Sequence, residues 1–526
     1  MVDQIAVVTV RKASGTGMLA ISSPLITEAF SAAVILAARA NDDGSDDDTN
    51  LSGGVLGMGF IGVNGTTASS TFQCAQSVSL EDGVPSSVTC LTGRNQNQCL
   101  RLGDGSSGLD AVAAYDSSIA GGVQINFSQC DVDLTLTVLL FAGLAKAATG
   151  GATFNDAAGS HEDVGAPGDL FEPNILLLLP SANALNADQA DGILTLGYAL
   201  NQGGIPQIAA NLDWDDSTDP TDADGFYRTD CASSALVGVS PSRIASMDRF
   251  QVTSFDSTGF NAIAIDTGDS NSPQANYLAL KWTNPSRVRM AIAHLSVAAS
   301  TGLQAFNSFG FTPDVVLGMA HLLTTPDTMT DGATAAAGGY FLTGKTGSWA
   351  YSVCEQENVN VTPVTPVNSV AKTREGEHAV LCLTDSAGIA FEAEWAGATG
   401  GGGFYLDFST ANNAGTLTAL GIQISPDSLE PPATHRAAPR AKAARTRRIR
   451  WPGGARHAPA LTRIFQFWEV QRRALFDRLH RRKKTAGVAE PPVPGVQLDS
   501  SEPVGDNALA GSERGDNALA GSAAGD

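Results

Sequence analysis

No run in this chain approaches the 18 or so apolar residues of a membrane-crossing helix, so no helical span is expected. Cysteine is scarce, seven residues in 526, and none forms a Cys-x-x-Cys pair, which argues against a zinc site of the usual spacing. Histidine is equally scarce. Of seven, His435, His457 and His480 fall in one basic segment, and His161, His294, His321 and His378 lack the spacing and the Ser or Cys elbow of nucleophilic catalysis. No enzyme and no cofactor are therefore expected. Basic residues are sparse over most of the chain: 16 of the 32 Lys and Arg lie in 434–485, leaving 52 of the 54 acidic residues outside it. So acidic a body should stay soluble and avoid nucleic acid and anionic membrane. The start, Met1-Val-Asp-Gln-Ile, lacks the basic opening and apolar core of a signal peptide. Long 3.6-residue stripes with caps are almost missing before residue 430.

What is present is a repeat. Tyr115, Phe255 and Trp395 fall 140 residues apart in similar surroundings. Phe30-Ser-Ala-Ala-Val34-Ile-Leu36, Phe171-Glu-Pro173-Asn-Ile175-Leu-Leu177 and Phe311-Thr-Pro313-Asp-Val315-Val-Leu317 open the three copies, and Gly59-Phe60, Gly197-Tyr198 and Gly339-Tyr340 follow. A period of that length is close to a whole domain and too long for a solenoid unit. Short Val, Ile, Leu, Thr, Phe and Tyr segments broken by 56 Gly and 24 Pro read as strands and turns. The fold class expected is mainly β: three tandem antiparallel sandwiches, jelly-roll-like, over 1–145, 146–285 and 286–427, each a bead with its own core. Four cysteines, Cys74, Cys90, Cys99 and Cys130, belong to the first copy, their disulfide state left open; Cys99 and Cys382 read as buried packing residues.

Beyond the copies come a basic Pro/Ala/Arg linker (428–458), a basic amphipathic helix (459–485) and a low-complexity tail (486–526) expected to be disordered. Leu461, Ile464, Phe465, Trp468, Leu475, Phe476 and Leu479 share one arc of the helix, interrupted by Arg472. That stripe is the candidate attachment or assembly element, docking on another protein, a second copy of the chain or its own third sandwich, with a membrane surface the weaker alternative. In the tail, Gly505-Asp-Asn-Ala-Leu-Ala-Gly-Ser512 recurs at Gly515, too polar and small-sided to fold alone.

Two motifs mimic nucleotide sites. Gly339-Tyr-Phe-Leu-Thr-Gly344-Lys345-Thr346 matches a phosphate-binding loop letter for letter, but a strand-like stretch follows where a helix is required. Gly57-Met-Gly59-Phe-Ile-Gly62 resembles a dinucleotide fingerprint in the same repeat position. Acidic loops at 41–48 and 213–225 offer oxygen ligands for Ca²⁺ without the twelve-residue loop register, so any metal stays unknown.

Taken together, Tyr277-Leu-Ala-Leu-Lys-Trp, Ala299-Ser-Thr-Gly302, Phe309-Gly-Phe311-Thr-Pro313-Asp-Val-Val316, the Gly-Tyr pair and the late Gly-rich turn resemble the repeated β-sandwich units of tailed-bacteriophage virion proteins. The resemblance covers residues 1 to about 427 and is clearest in the second and third copies. It implies a structural or receptor-binding role on the virus particle, in a tail fibre or tail tip, or else a head decoration or head fibre. Implied partners are other virion proteins, a homo-oligomer, or a host-surface glycan or protein; nucleic acid is a weaker candidate. A carbohydrate-binding adhesin array is the alternative from another class.

Overall fold

The computed structural model describes residues 2–424 apart from connecting stretches, the longest being 64–72, 81–89, 215–222, 237–246, 325–336 and 356–368. It is built almost wholly of antiparallel strands; a single 3₁₀ turn, Pro285–Arg287, is the only helical element among the described residues. The first copy contributes β1 (Gln4–Lys12), β2 (Gly17–Ser22), β3 (Phe30–Arg39), β4 (Asp47–Ser52), β5 (Val55–Gly62), β6 (Gln73–Leu80), β7 (Cys90–Asn95), β8 (Leu100–Gly103), β9 (Leu109–Ile119), β10 (Gly122–Cys130) and β11 (Leu134–Ala142). The second contributes β12 (Lys146–Thr153), β13 (Ser160–Asp163), β14 (Ile175–Ser181), β15 (Asp188–Ala190), β16 (Gly192–Leu200), β17 (Gln207–Trp214), β18 (Ala223–Arg228), β19 (Ser233–Leu236), β20 (Met247–Asp256), β21 (Gly259–Asp266) and β22 (Gln274–Lys281). The third contributes β23 (Val288–Val297), β24 (Gly302–Phe306), β25 (Val315–His321), β26 (Ala337–Gly344), β27 (Gly347–Glu355), β28 (Ser369–Arg374), β29 (His378–Leu383), β30 (Ile389–Thr399), β31 (Gly403–Ala411) and β32 (Gly415–Ile424).

One strand order recurs. The larger sheets run β1-β11-β3-β5-β6-β7, β12-β22-β14-β16-β17-β18 and β23-β32-β25-β26-β27-β28; the smaller ones run β2-β10-β9-β8, β13-β21-β20-β19 and β24-β31-β30-β29. Each pair thus has ten strands, two more than the eight of a jelly roll, and four successive strands form a meander within the larger sheet.

Strands of the larger sheets read as continuous apolar runs because both faces are covered. In β11, Leu134, Leu136, Val138 and Leu140 enter the core between the first copy's two sheets, whereas Leu139 and Phe141 enter a second core. Likewise Leu176 and Leu178 of β14 face their own sandwich, while Ile175, Leu177 and Leu179 face the second core. In β25, Val316 and Ala320 turn inward and Val315, Leu317 and Met319 turn to that same second core. Three sandwich cores therefore surround a fourth, common one. At about 1.5–3 kcal/mol for each large apolar side chain buried, the common core is a major contributor to stability.

The copies contact one another in a cyclic order. β12 lies against β5 and β6, β23 against β16 and β17, and β1 against β26 and β27. Strands are also lent in that direction. β15 of the second copy pairs with β7 of the first, Gln189 opposite Thr92, and β4 of the first copy pairs with β28 of the third, Leu51 opposite Ala371. Met1–Thr434 forms one compact unit. The picture of three self-sufficient beads is corrected accordingly: each copy has a core of its own, but the outer face of its larger sheet is buried on the other two. Alternation within a strand reveals two covered faces without naming what covers them.

Registers refine the sequence alignment. The backbone N–H groups of Tyr115 and Val252 each donate to the glutamine that opens the facing strand, Gln73 and Gln207, so Val252, and not Phe255, is the counterpart of Tyr115. Ser31, Asn174 and Asp314 each accept a backbone N–H at the end of the last strand of their copy, from Leu144, Trp282 and Ile424. That makes Ala32 and Val34 the counterparts of Ile175 and Leu177, two residues away from the sequence alignment.

Candidate functional site

The seven apolar residues of the expected attachment helix, from Leu461 to Leu479, lie outside the described residues, as do the linker and the tail. Of the acidic loops, 41–46 and 215–222 are also outside; Asp47 and Asp48 belong to the lent strand β4, and Asp213 and Asp224 pair across the β17–β18 hairpin. Among the described residues, no group of three His, Cys, Asp or Glu is placed to hold a metal ion.

Both nucleotide-like motifs resolve into sheet. Gly339–Gly344 is the body of β26, and β27 folds straight back on it with Gly344 opposite Gly347, so no helix N-terminus faces the turn; Lys345 and Thr346 themselves are outside the described residues. In β5, a Cβ on Gly59 would collide with the carbonyl of Cys99, and one on Gly62 would stand 2.9 Å from the backbone of Ala148 in the second copy. These glycines serve close approach of backbones. Cys99 and Cys130 are buried in the sandwich core of the first copy and Cys382 in that of the third, while Cys74 is buried in the common core.

Among the described residues, a concentrated polar site with unusual chemistry lies in the second copy, where sequence reading placed nothing. Strand β13, Ser160-His-Glu-Asp163, is the edge of the smaller sheet and pairs with β21, Glu162 opposite Phe260. The same position is Ile21 in the first copy, opposite Val123, and Phe306 in the third, opposite Phe404. A second mark confirms the match: Gly259, Gly122 and Gly403 are the glycines whose Cβ would strike the carbonyls of Glu162, Ile21 and Phe306. Across the sandwich, Tyr277 of β22 stands where the caps put Val138 and Ala419, all three within their own cores. Positions that are apolar in the first and third copies thus hold a Glu–Tyr pair in the second.

Tyr277 Oη donates to Glu162 Oε1 at 3.2 Å. The ring meets Phe260 edge-on at 5.6 Å, and its hydroxyl fits because Gly150 of β12 has no side chain to occupy the space. Burial pushes the Glu162 carboxyl up to about 7, with Asp163 adding to the rise and the Tyr277 hydroxyl and His161 opposing it. Burial also drives the Tyr277 hydroxyl well above its usual value. Beside them His161 sits with both ring nitrogens against oxygen atoms: Nδ1 lies 3.2 Å from Asn261 Oδ1 and 3.4 Å from Asp256 Oδ2, and Nε2 lies 3.1 Å from Asp163 Oδ1 and 3.0 Å from Thr258 Oγ1. Asp256 closes the β20–β21 turn by accepting from the N–H groups of Thr258 (2.9 Å) and Gly259 (3.1 Å), which holds its carboxyl below the ordinary value.

No protein family matches this sequence, and no curated protein does. The polar site therefore has to be understood from its own surroundings, and these lead to the boundary between copies. Next to Tyr277, Asn276 turns the other way, accepting from Nε of the wholly buried Arg94 of the first copy at 3.0 Å and donating to the carbonyl of Ala75 at 3.2 Å. The backbone carbonyl of Tyr277 accepts from Cys74 Sγ at 3.8 Å. Burial lowers the Arg94 guanidinium to about 10 and lifts the Cys74 thiol to about 12. A second junction is made by Asp3, whose two carboxylate oxygens accept the N–H groups of Thr283 and Asn284, each at 3.0 Å, tying the start of the first copy to the link between the second and third.

The sequence carried one signal for the Glu162 site. Ser160-His-Glu-Asp163 sets Ser160 and Glu162 where the edge strand of the first copy has Leu19 and Ile21, but with only four residues and no prior register the alternation has no phase.

Proposed function

We propose that this chain is a structural component of a tailed-phage particle, in a tail fibre or tail tip, its sandwich body turned outward for host-surface contact and its basic helix at 459–485 serving as the anchor. The observation that supports this most is the body itself: three like sandwiches locked into one unit by a common core and by lent strands, with the nucleotide-like motifs absorbed into sheet. Such interlocking suits a rigid surface-presenting module, because no copy can swing away without exposing its apolar outer face.

Immunogold labelling of intact particles with antibody against residues 1–424, followed by fitting the body into a particle density map, tests the reading. Label on the tail supports it; label on the head moves the protein to a decoration role; label on no part of the particle defeats it. The anchoring half is tested separately. Trp468→Asp with Leu475→Asp in the full chain should reduce incorporation into particles at least ten-fold, while the melting of the body stays the same. Unchanged incorporation would remove the helix from the reading.

A further inference from the structure

Glu162 invites an explanation, because a carboxyl has replaced an apolar side chain at one of three equivalent core positions, and a hydroxyl has been brought to meet it through space that Gly150 leaves open. Among the described residues, the following groups face the pair. His161 and Asp163 flank Glu162 on β13; Tyr277 faces it from β22; Asp256 approaches His161 from the β20–β21 turn; and Cys74 of the first copy stands behind Tyr277. Among the described residues, the charges acting on Glu162 include no lysine or arginine. Ionised, the carboxylate therefore has a hydroxyl donor and a histidine to offset its burial, with a like charge at Asp163. Protonated, it is a neutral group of nearly apolar character in an apolar place.

We propose that the Glu162–Tyr277 pair is a proton-controlled latch: with Glu162 protonated, β13 closes on the second sandwich, and with Glu162 ionised, water is drawn to the carboxylate and β13 and β22 loosen together. The effect does not end in the second copy. β22 carries Asn276 and the Tyr277 carbonyl to Arg94 and Cys74, so its loosening weakens the junction with the first copy. The direction follows from linkage. The folded-state value lies above that of a free carboxyl, so the stabilising contribution is full below about pH 4.5 and is lost as pH rises through about 7.

The test is hydrogen exchange of the full chain at pH 5.5 and pH 8, corrected for intrinsic rates. Peptides covering Ser160–Asp163 and Gln274–Lys281 should exchange about ten-fold faster or more at pH 8, while Gly302–Phe306 and Gly415–Ile424, the equivalent strands of the third copy, should not change. Glu162→Gln should keep the protected state at both values. Tyr277→Phe, which removes the donor to the ionised form, should move the loosening to higher pH, and a midpoint that does not move overturns the pair as the element that titrates. Equal protection of wild type at both values overturns the latch. So does a pH response that survives in Glu162→Gln, above all one that disappears in His161→Gln instead, which would assign the response to the histidine.

Discussion

Single residues in closely packed places, within a copy or at the boundary between two, carry the sharpest consequences. Gly59 faces backbone, not a flexible side chain, so Gly59→Ala should destabilise the body by about 3 kcal/mol, at the upper end of what overpacking costs, seen as a fall in the melting temperature of the full chain. Asn276→Ala removes a partner from an arginine that is wholly buried, and about 3 kcal/mol of destabilisation is expected by chemical denaturation. Asp3→Ala leaves two N–H groups of the second-to-third link without their acceptor and should cost about 1–3 kcal/mol. At this scale the sequence was only partly legible. The aromatic period suggested Phe255 as the partner of Tyr115, yet backbone hydrogen bonding selects Val252, since an aromatic three residues along a short hairpin can pack on the same core from a different register. The glycines of β5 were visible as a pattern, but the carbonyls they admit come from elsewhere in the chain.

Among elements, the lent strands are the least expected. Asp188–Ala190 is three residues long, two of them polar, with no alternation to mark it, and its partner lies in another copy. Strand pairing is a backbone contact and needs no side-chain pattern. Gln189→Pro should therefore accelerate hydrogen exchange in Cys90–Asn95 of the first copy and leave Ser369–Arg374 of the third, which is covered by β4, as before. The long strands were legible by contrast. β11 and β25 announce themselves as apolar runs, and β31 alternates cleanly with one face to its core. What such runs do not encode is the partner that covers the second face.

For the whole molecule, the common core predicts that residues 1–427 unfold in a single transition by calorimetry. A segment of 146–285 alone should be soluble only as an aggregate or oligomer, because Ile175, Leu177, Leu179, Tyr198, Leu278 and Leu280 would lose their cover. Three separate transitions would contradict the shared core. The repeat was legible from sequence, since like strands need like residues, while the cyclic contact order was not: it rests on which outer faces meet, and each face is apolar enough to meet any other.

The loan of β4 to β28 also sets a clock. Residues 47–52 emerge early in synthesis, but their partner at 369–374 follows about 320 residues later, a wait of roughly 15–65 s at 5–20 residues per second. β15, in comparison, meets β7 after about 95 residues. The first copy must therefore hold a strand in reserve while two more copies are made, exposed to any other edge in the cell. A ribosome that stops in the third copy releases a chain with one arm extended and nothing of its own to receive it.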